Sequence, residues 1–217
     1  MKVSILLAVY NGEKYLKKSI DSIIAQTYKN WELLIGFNGT KDNSKEIVKQ
    51  YNDPRIRVFD YGDDKGKAKT LNKLMKECVG EWIAVQDDDD IWLPKKLERQ
   101  IKHIDDYDVI GTQITYVDES ENPTGNPILA KDDENIKSKS LAGDNQIANT
   151  SAIFRRKCAE EVEGWSEILD GIEDFDFWLK IMRKGYKFVN ISSPEVLHRL
   201  HSNSNFNTKQ FEISKIL

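Results

Sequence analysis

Four consecutive carboxylates, Asp87-Asp88-Asp89-Asp90, stand between the apolar run Trp82-Ile83-Ala84-Val85-Gln86 and the apolar pair Ile91-Trp92. Adjacent like charges repel by roughly 1 kcal/mol per close pair even in water, and more near a protein surface, so such a run needs solvent or a cation. Oxygen donors at the end of a strand suit Mg2+ or Mn2+, hard ions that keep several waters and share their remaining coordination with substrate phosphates. The run therefore reads either as a metal site for a phosphate-bearing substrate or as a solvated acidic loop. The surrounding chain has to decide between the two.

Along the chain, Val3 to Val9 is a continuous apolar run of strand length, as expected when both faces of a parallel strand are covered. Asn11-Gly12 turns the chain, and Leu16, Ile20, Ile23 and Ile24 then mark one face of a helix over Glu13 to Gln26. Trp31 to Phe37 repeats the strand signature, and Asn43-Ser44-Lys45-Glu46 reads as a capping box opening a helix through Tyr51. Arg55 to Phe59 is a short strand; Gly66 starts a helix with Ala68, Leu71, Leu74, Met75 and Cys78 on one stripe, and Gly80 ends it before the Trp82 strand. This β/α alternation predicts a mainly parallel sheet, in which ligands gather beyond the carboxyl ends of the strands. The four Asp sit at that edge.

Farther on, Pro94 suits the first turn of a helix carrying Leu97, Ile101 and Ile104, and Asp108 to Val117 reads as a strand. Asp118 to Gly143 is polar, holds Pro123, Gly125 and Pro127 and lacks periodicity, which predicts a stretch that is mostly loop and open to motion. Thr150 to Phe154 reads as a strand, Lys157 to Val162 as a short helix, and Glu173 to Lys184 as a helix with Phe177, Trp178 and Ile181 inward. Lys187 to Ile191 ends the regular pattern, and the polar tail after His198 is expected to be loosely held.

With 217 residues the chain can bury one good core, and nothing in it resembles a linker. Its 32 basic and 36 acidic side chains are mixed along the sequence, with no Lys/Arg tract to track a phosphate backbone, so nucleic acid is not an expected ligand. Cys78 and Cys158 are far apart without CxxC spacing, which predicts buried, reduced thiols and a cytoplasmic protein. The opening apolar run is short and followed at once by a turn and an amphipathic helix, so it reads as a first strand rather than a signal peptide. No segment approaches the ~18 apolar residues of a membrane span. That leaves room for peripheral work on a membrane-borne acceptor.

Taken in order, several motifs resemble the family 2 glycosyltransferases, inverting enzymes with the GT-A fold. The resemblance rests on Ala8-Val9-Tyr10-Asn11, the turn Asn38-Gly39-Thr40-Lys41-Asp42-Asn43-Ser44, and Asp87-Asp88-Asp89-Asp90-Ile91-Trp92-Leu93-Pro94, which matches the DxD segment. It continues through Asn149-Thr150-Ser151-Ala152, Glu173-Asp174-Phe175-Asp176-Phe177-Trp178-Leu179 and His198-Arg199-Leu200-His201, covering Val3 to about Ser204. It implies a Rossmann-like α/β sheet with helices on both faces in a single domain over 1–217. Residues 1–92 would form the nucleotide-sugar half, 93–204 the acceptor half and 205–217 a tail.

The resemblance further implies a donor nucleotide-sugar and a glycan, lipid-linked or protein acceptor, joined by displacement at the anomeric carbon. Such chemistry needs a base for the acceptor hydroxyl and a metal, Mn2+ or Mg2+, to offset charge on the leaving diphosphate. Asp174 matches the base, with Glu173 beside it; by periodicity alone both are ordinary first-turn acids favoured by the helix dipole. Asp89, with Asp87, matches the metal ligands, Asp88 is expected to turn to the ribose, and His201 matches a His that completes the metal site or closes over the diphosphate. Tyr10 is expected against the nucleotide base beside Ala8. Trp92 and Trp178 read as core, and Trp165 as either an acceptor platform or packing.

Two departures bear on the donor. Relatives often carry two Asp after the second strand, one of them on uracil, where this chain has Phe37-Asn38. Asn38 both donates and accepts hydrogen bonds, so it can still read uracil, and UDP is the expected carrier. A frequent Arg before Asn72 is replaced by Leu71, which leaves Lys67 or Lys69 as the partner of the donor phosphates. The Gly66-Lys67 helix start adds backbone N–H groups that favour anions. The competing classes are a homologue that binds without turnover and a sugar nucleotidyltransferase. For the latter, Tyr10-Asn11-Gly12-Glu13 is not the Gly-rich basic phosphate loop expected.

Overall fold

The computed structural model describes residues 1–169 and 171–202, so the expected tail at 205–217 lies outside the described residues. The first half alternates as the sequence predicts: β1 (Val3–Val9), α1 (Leu16–Ile24), β2 (Trp31–Phe37), α2 (Ser44–Val48), β3 (Ile56–Asp60), α3 (Lys67–Lys76) and β4 (Trp82–Gln86). These four strands pair in parallel in the order β3-β2-β1-β4. Each apolar run supplies both faces of the sheet, because successive strand side chains point to opposite sides. Val3, Ile5, Leu7 and Val9 of β1 pack with Leu16, Ile20 and Ile23 of α1, whereas Leu6 packs with Ala68, Leu71 and Leu74 of α3. Leu33 and Ile35 against Leu34, and Trp82 and Ala84 against Ile83 and Val85, divide in the same way.

Beyond β4 the sheet continues but changes character. β5 (Ile91–Trp92), α4 (Lys96–Gln100), β6 (Val109–Val117), β7 (Pro123–Gly125), α5 (Asp133–Leu141), β8 (Ile153–Arg155), α6 (Arg156–Glu161), α7 (Glu173–Arg183) and β9 (Phe188–Arg199) complete one nine-stranded sheet. β8 joins β4 and β6 antiparallel, β6 and β9 run parallel, and β9 takes β5 antiparallel. The parallel first half of the sheet thus passes into a mixed second half. Helices α3, α5, α6 and α7 cover one face and α1, α2 and α4 the other, giving two apolar cores.

Several expectations need correcting. The stretch 118–143 is not loop throughout: it holds β7 and the helix α5, capped by Asp132, whose carboxylate accepts the Asn135 N–H at 3.0 Å. Its only fully buried apolar side chain is Ile136, so no stripe was there to read. The Asn43 box does not form either. Asp42 Oδ1 takes the Ser44 N–H at 3.0 Å, Asn43 donates to Glu13 at 2.8 Å, and Glu46 pairs with Lys49. The expected strand from Thr150 starts only at Ile153, after a 3-10 turn over Asn149–Ser151. The final strand does not end at Ile191. It passes Pro194 at a register shift and runs to Arg199, so His198 and Arg199 belong to the sheet and not to a loose tail.

Cys78 and Cys158 are free, buried thiols, each pushed up to about 12 first by burial. Trp92 and Trp178 are core, as read from sequence, and Trp165 proves to be packing: it is 2% exposed and stacks on Phe177 at 4.4 Å. No helix among the described residues is long and apolar enough to cross a membrane.

Gly36 sets how closely α3 lies on the sheet, since a Cβ there would stand 2.7 Å from Thr70 Cγ2. This contact helps place Lys67, the first residue of α3, at the carboxyl edge of the strands. Gly36→Ala is expected to cost about 1–3 kcal/mol by overpacking and to lower the melting temperature by about 3–10 °C. Adding Thr70→Ser, which removes that methyl, should restore most of the loss in the same melting experiment. A double variant no better than Gly36→Ala would contradict the contact.

Candidate active site

The carboxyl ends of β1, β2 and β4 open into a cleft of about 1210 Å³. From the first half of the chain Ala8, Tyr10, Asn38, Lys67, Asp87, Asp88 and Asp89 line it; from the second half Glu173, Asp174 and His201 do. All the site residues expected from the sequence are therefore brought to one place. The parallel strands supply the first group by ending together, and the α7 N-terminus and the β9 extension supply the second.

The four Asp diverge sharply. Asp90 is fully buried and turned to β9: His198 Nδ1 lies 2.9 Å from its Oδ2, and the Arg199 N–H donates to its Oδ1 at 2.9 Å. Burial opposes the His198 charge, but Asp90 outweighs it and pushes the imidazole up to about 9. Asp89 faces His201, Oδ2 to Nε2 at 2.9 Å. Burial would raise the Asp89 carboxyl, yet His201, His198 and Lys67 hold it below its ordinary value. Asp88 turns onto the β1–α1 turn, so close to Gly12 that a Cβ there would lie 2.4 Å from its Oδ2. Burial, then Asp89 and Asp87, raise it well above the ordinary range. Asp87 pairs with Lys67 at 2.5 Å.

That pair sets the two lysines apart in position. Lys69 and Lys73 both bind Asp64, outside the cleft, whereas Lys67 sits among the acids. Burial works against the Lys67 ammonium, but Asp87, Glu173 and Asp174 together raise its pKa. It is the cation that the acid cluster and the α7 carboxylates share.

Asp174 stands at the first turn of α7, where it accepts the Phe175 N–H at 2.8 Å. Burial first, and then Glu173, push its carboxyl up to about 7, against the pull of Lys67. Glu173 points back, accepting the Gly171 N–H at 2.6 Å. A carboxyl poised near neutrality in a cleft has the strength of a general base.

On the other side Tyr10 is 49% exposed, with Lys65 Nζ 5.6 Å from its ring centre, so a broad aromatic face is open to a planar ligand. Asn38 is nearly buried, and its Oδ1 has no hydrogen-bond partner among the described residues. Sequence reasoning did not single out Tyr15, Tyr116 or Asn149, which also line the cleft. Asn149 lies on the 3-10 turn under the quoted Asn149-Thr150-Ser151-Ala152 motif, so the motif was the signal and only a place in the cleft went unassigned.

Known proteins resemble this chain in sequence and in fold. The profile of Glycosyl transferase family 2 matches residues 4–162. The O-antigen biosynthesis glycosyltransferase WbnJ of Escherichia coli is 31% identical over 210 residues, 93% of this chain and 81% of that protein. Among solved structures, TarS 1–349 of S. aureus in complex with UDP-GlcNAc aligns with a TM-score of 0.79 at 19% identity, covering 97% of this chain and 62% of that one. The mannosyltransferase PcManGT of Pyrobaculum calidifontis, in complex with GDP-Man and Mn2+, aligns at 0.73 and 16%, covering 94% and 58%. The chain thus spans less than two thirds of these solved chains, and at such identities they speak for the fold, which is GT-A. With the family profile matched over most of its length, this chain belongs to glycosyltransferase family 2.

Proposed function

We propose that the cleft transfers a sugar from a nucleotide-sugar, with UDP as the preferred carrier, to a hydroxyl of a glycan, lipid-linked or protein acceptor, with inversion at the anomeric carbon. The observation that carries this reading is the opposition, within one cleft, of a carboxyl poised at about 7 and a carboxylate cluster at the end of β4. The division of labour follows the chain, with 1–92 holding the donor and 93–204 the acceptor.

In the reaction the acceptor oxygen bonds to the anomeric carbon while the bond from that carbon to the diphosphate breaks, its electron pair leaving on the diphosphate. Asp174 takes the hydroxyl proton, and its raised basicity suits that transfer near neutral pH. Glu173 keeps the field around Asp174 negative, which sustains that basicity. Lys67 offers its ammonium to the donor phosphates and must exchange part of its bond to Asp87 to do so. Tyr10 presents a face to the base, and the unpartnered Asn38 Oδ1 can accept a ring N–H of uracil.

Among the described residues no three His, Cys, Asp or Glu side chains converge as a ready-made metal cage. The adjacent Asp89 carboxylate and His201 imidazole, with Asp87 nearby, are instead the short donor set of Mn2+ or Mg2+, ions that take their remaining ligands from water and a diphosphate. Asp89 and His201 would hold the ion, with Asp87 close by in the same run, and when bound it would offset charge on the leaving diphosphate. The Mn2+ that accompanies GDP-Man in the PcManGT complex supports that choice.

In thermal-shift titrations with Mn2+ present, UDP is expected to raise the melting temperature more than GDP, TDP or CMP; a shift with GDP and none with UDP would contradict the base assignment. Asp174→Asn should lower turnover by about 10²–10⁴-fold and leave UDP binding intact. The same variant tests the raised pKa. The folded state holds the Asp174 proton up to about pH 7, against 3.8 for a free carboxyl, so the resulting stability is complete below pH 4 and lost above 7. Without metal, Asp174→Asn should therefore melt with the wild type at pH 4 and be more stable by about 1–3 kcal/mol at pH 8, after allowance for solvent in the cleft. A difference that does not change with pH would remove Asp174 from that role.

A further inference from the structure

Arg199 is 1% exposed, although it lies near the end of the described chain and carries the most strongly ionised side chain a protein has. Burying an unpaired guanidinium is costly, so its partners define what it is for. Its Nε donates to the Asp89 carbonyl at 3.0 Å, and its backbone N–H donates to Asp90 Oδ1 at 2.9 Å. Its Nη1 donates to the carbonyls of Asp118 and Glu119 at 3.2 and 3.1 Å, and its Nη2 to Glu121 Oε1 at 3.1 Å. The guanidinium also lies 4.5 Å from the ring centre of Tyr15, which in turn packs against the His201 ring at 5.3 Å.

Two of these bonds grip the backbone and side chain of consecutive residues in the acid run, and three grip the hairpin turn between β6 and β7. The turn is itself fastened to α1 through Lys18 to Glu121, and to the turn before that helix through Lys14 to Glu119. Arg199 therefore fixes the main chain at Asp89 against a braced support, and stands between the two histidines that face Asp90 and Asp89. Outer partners of metal ligands commonly matter about 10–100-fold in metal affinity, and Arg199 acts one bond farther out, on the Asp89 main chain.

We infer that Arg199 is a positioning residue for the divalent-metal carboxylate Asp89, holding it toward His201 through the Asp89 carbonyl and Asp90 while Glu121 fixes the guanidinium. This rests on the metal reading of the cleft proposed above. A residue that served the fold alone would affect all ligands alike; one that orients Asp89 affects metal binding selectively.

The test is calorimetric titration of Mn2+ into protein saturated with UDP, alongside UDP titrated in EDTA. Arg199→Lys is expected to weaken Mn2+ by about 10-fold or more and to leave UDP in EDTA unchanged within about twofold. Glu121→Gln, which keeps the arginine but loosens its anchor, should weaken Mn2+ by about 2–5-fold, and Lys18→Gln, which removes only the outer brace of Glu121, should leave it unchanged. If Arg199→Lys lacks a cooperative melting transition, Glu121→Gln decides. Unchanged Mn2+ affinity in the folded variants, or an equal loss of UDP in EDTA, would overturn the inference. Wild-type protein that binds UDP equally with Mn2+ and with EDTA would overturn the metal reading itself, and this inference with it.

Discussion

Four carboxylates in a row at the end of a buried strand cannot be left to repel one another in a cleft that excludes much of the water. The structure meets this constraint by giving each Asp a different fate. Asp90 is neutralised against His198 and the Arg199 N–H and becomes part of the framework. Asp87 is held by Lys67, and Asp89 by His201. Asp88 has no ion-pair partner within 4.0 Å among the described residues, and burial first, then the neighbouring Asp89 and Asp87, push its carboxyl up toward the neutral form. Much of the second half of the chain serves to bring cations to that run. The β9 strand must reach Arg199, and the chain beyond it His201, because the histidines that answer Asp90 and Asp89 lie there.

The same constraint explains how a parallel sheet acquires a second wall. Strands β1, β2 and β4 end together and would leave an open edge, with ligands held from one side only. β5 starts immediately after the Asp run and pairs with β9, while β8 and β6 carry the sheet across to it. The acid run is thus fastened at both ends by strands, and α7 lays Glu173 and Asp174 opposite it. Lys67 ties the two sides electrostatically, since Asp87 on one and Glu173 and Asp174 on the other all raise its pKa.

The first half of this architecture was legible because its signals are redundant: apolar runs of strand length, amphipathic stripes and turn residues all agree. Where one signal had to serve alone, reading failed. Helix α5 hides because a single apolar residue, Ile136, anchors it, and its cap at Asp132 lies in a polar stretch. The length of β9 was lost because Ser192, Ser193, Pro194 and Glu195 interrupt its apolar pattern, yet the strand runs on through them, Glu195 is buried against Arg99 and the pattern resumes at Val196. The candidate site residues were named through the order of the motifs rather than through physics. Charge alone could not have said which of four Asp would be structural, because that depends on β9 arriving at Asp90. The choice of Lys67 over Lys69 likewise waited on Asp64, which draws Lys69 away.

The central claim is that the cleft turns over a nucleotide-sugar with the help of a divalent metal held at Asp89. Its most direct test is release of nucleoside diphosphate from a panel of nucleotide-sugars, measured with Mn2+, with Mg2+ and with EDTA, for the wild type and Asp89→Asn, with candidate glycan and lipid-linked acceptors present. The expected result is release from a UDP-sugar that disappears both with EDTA and with Asp89→Asn. Release that persists in EDTA and in the variant would contradict the claim.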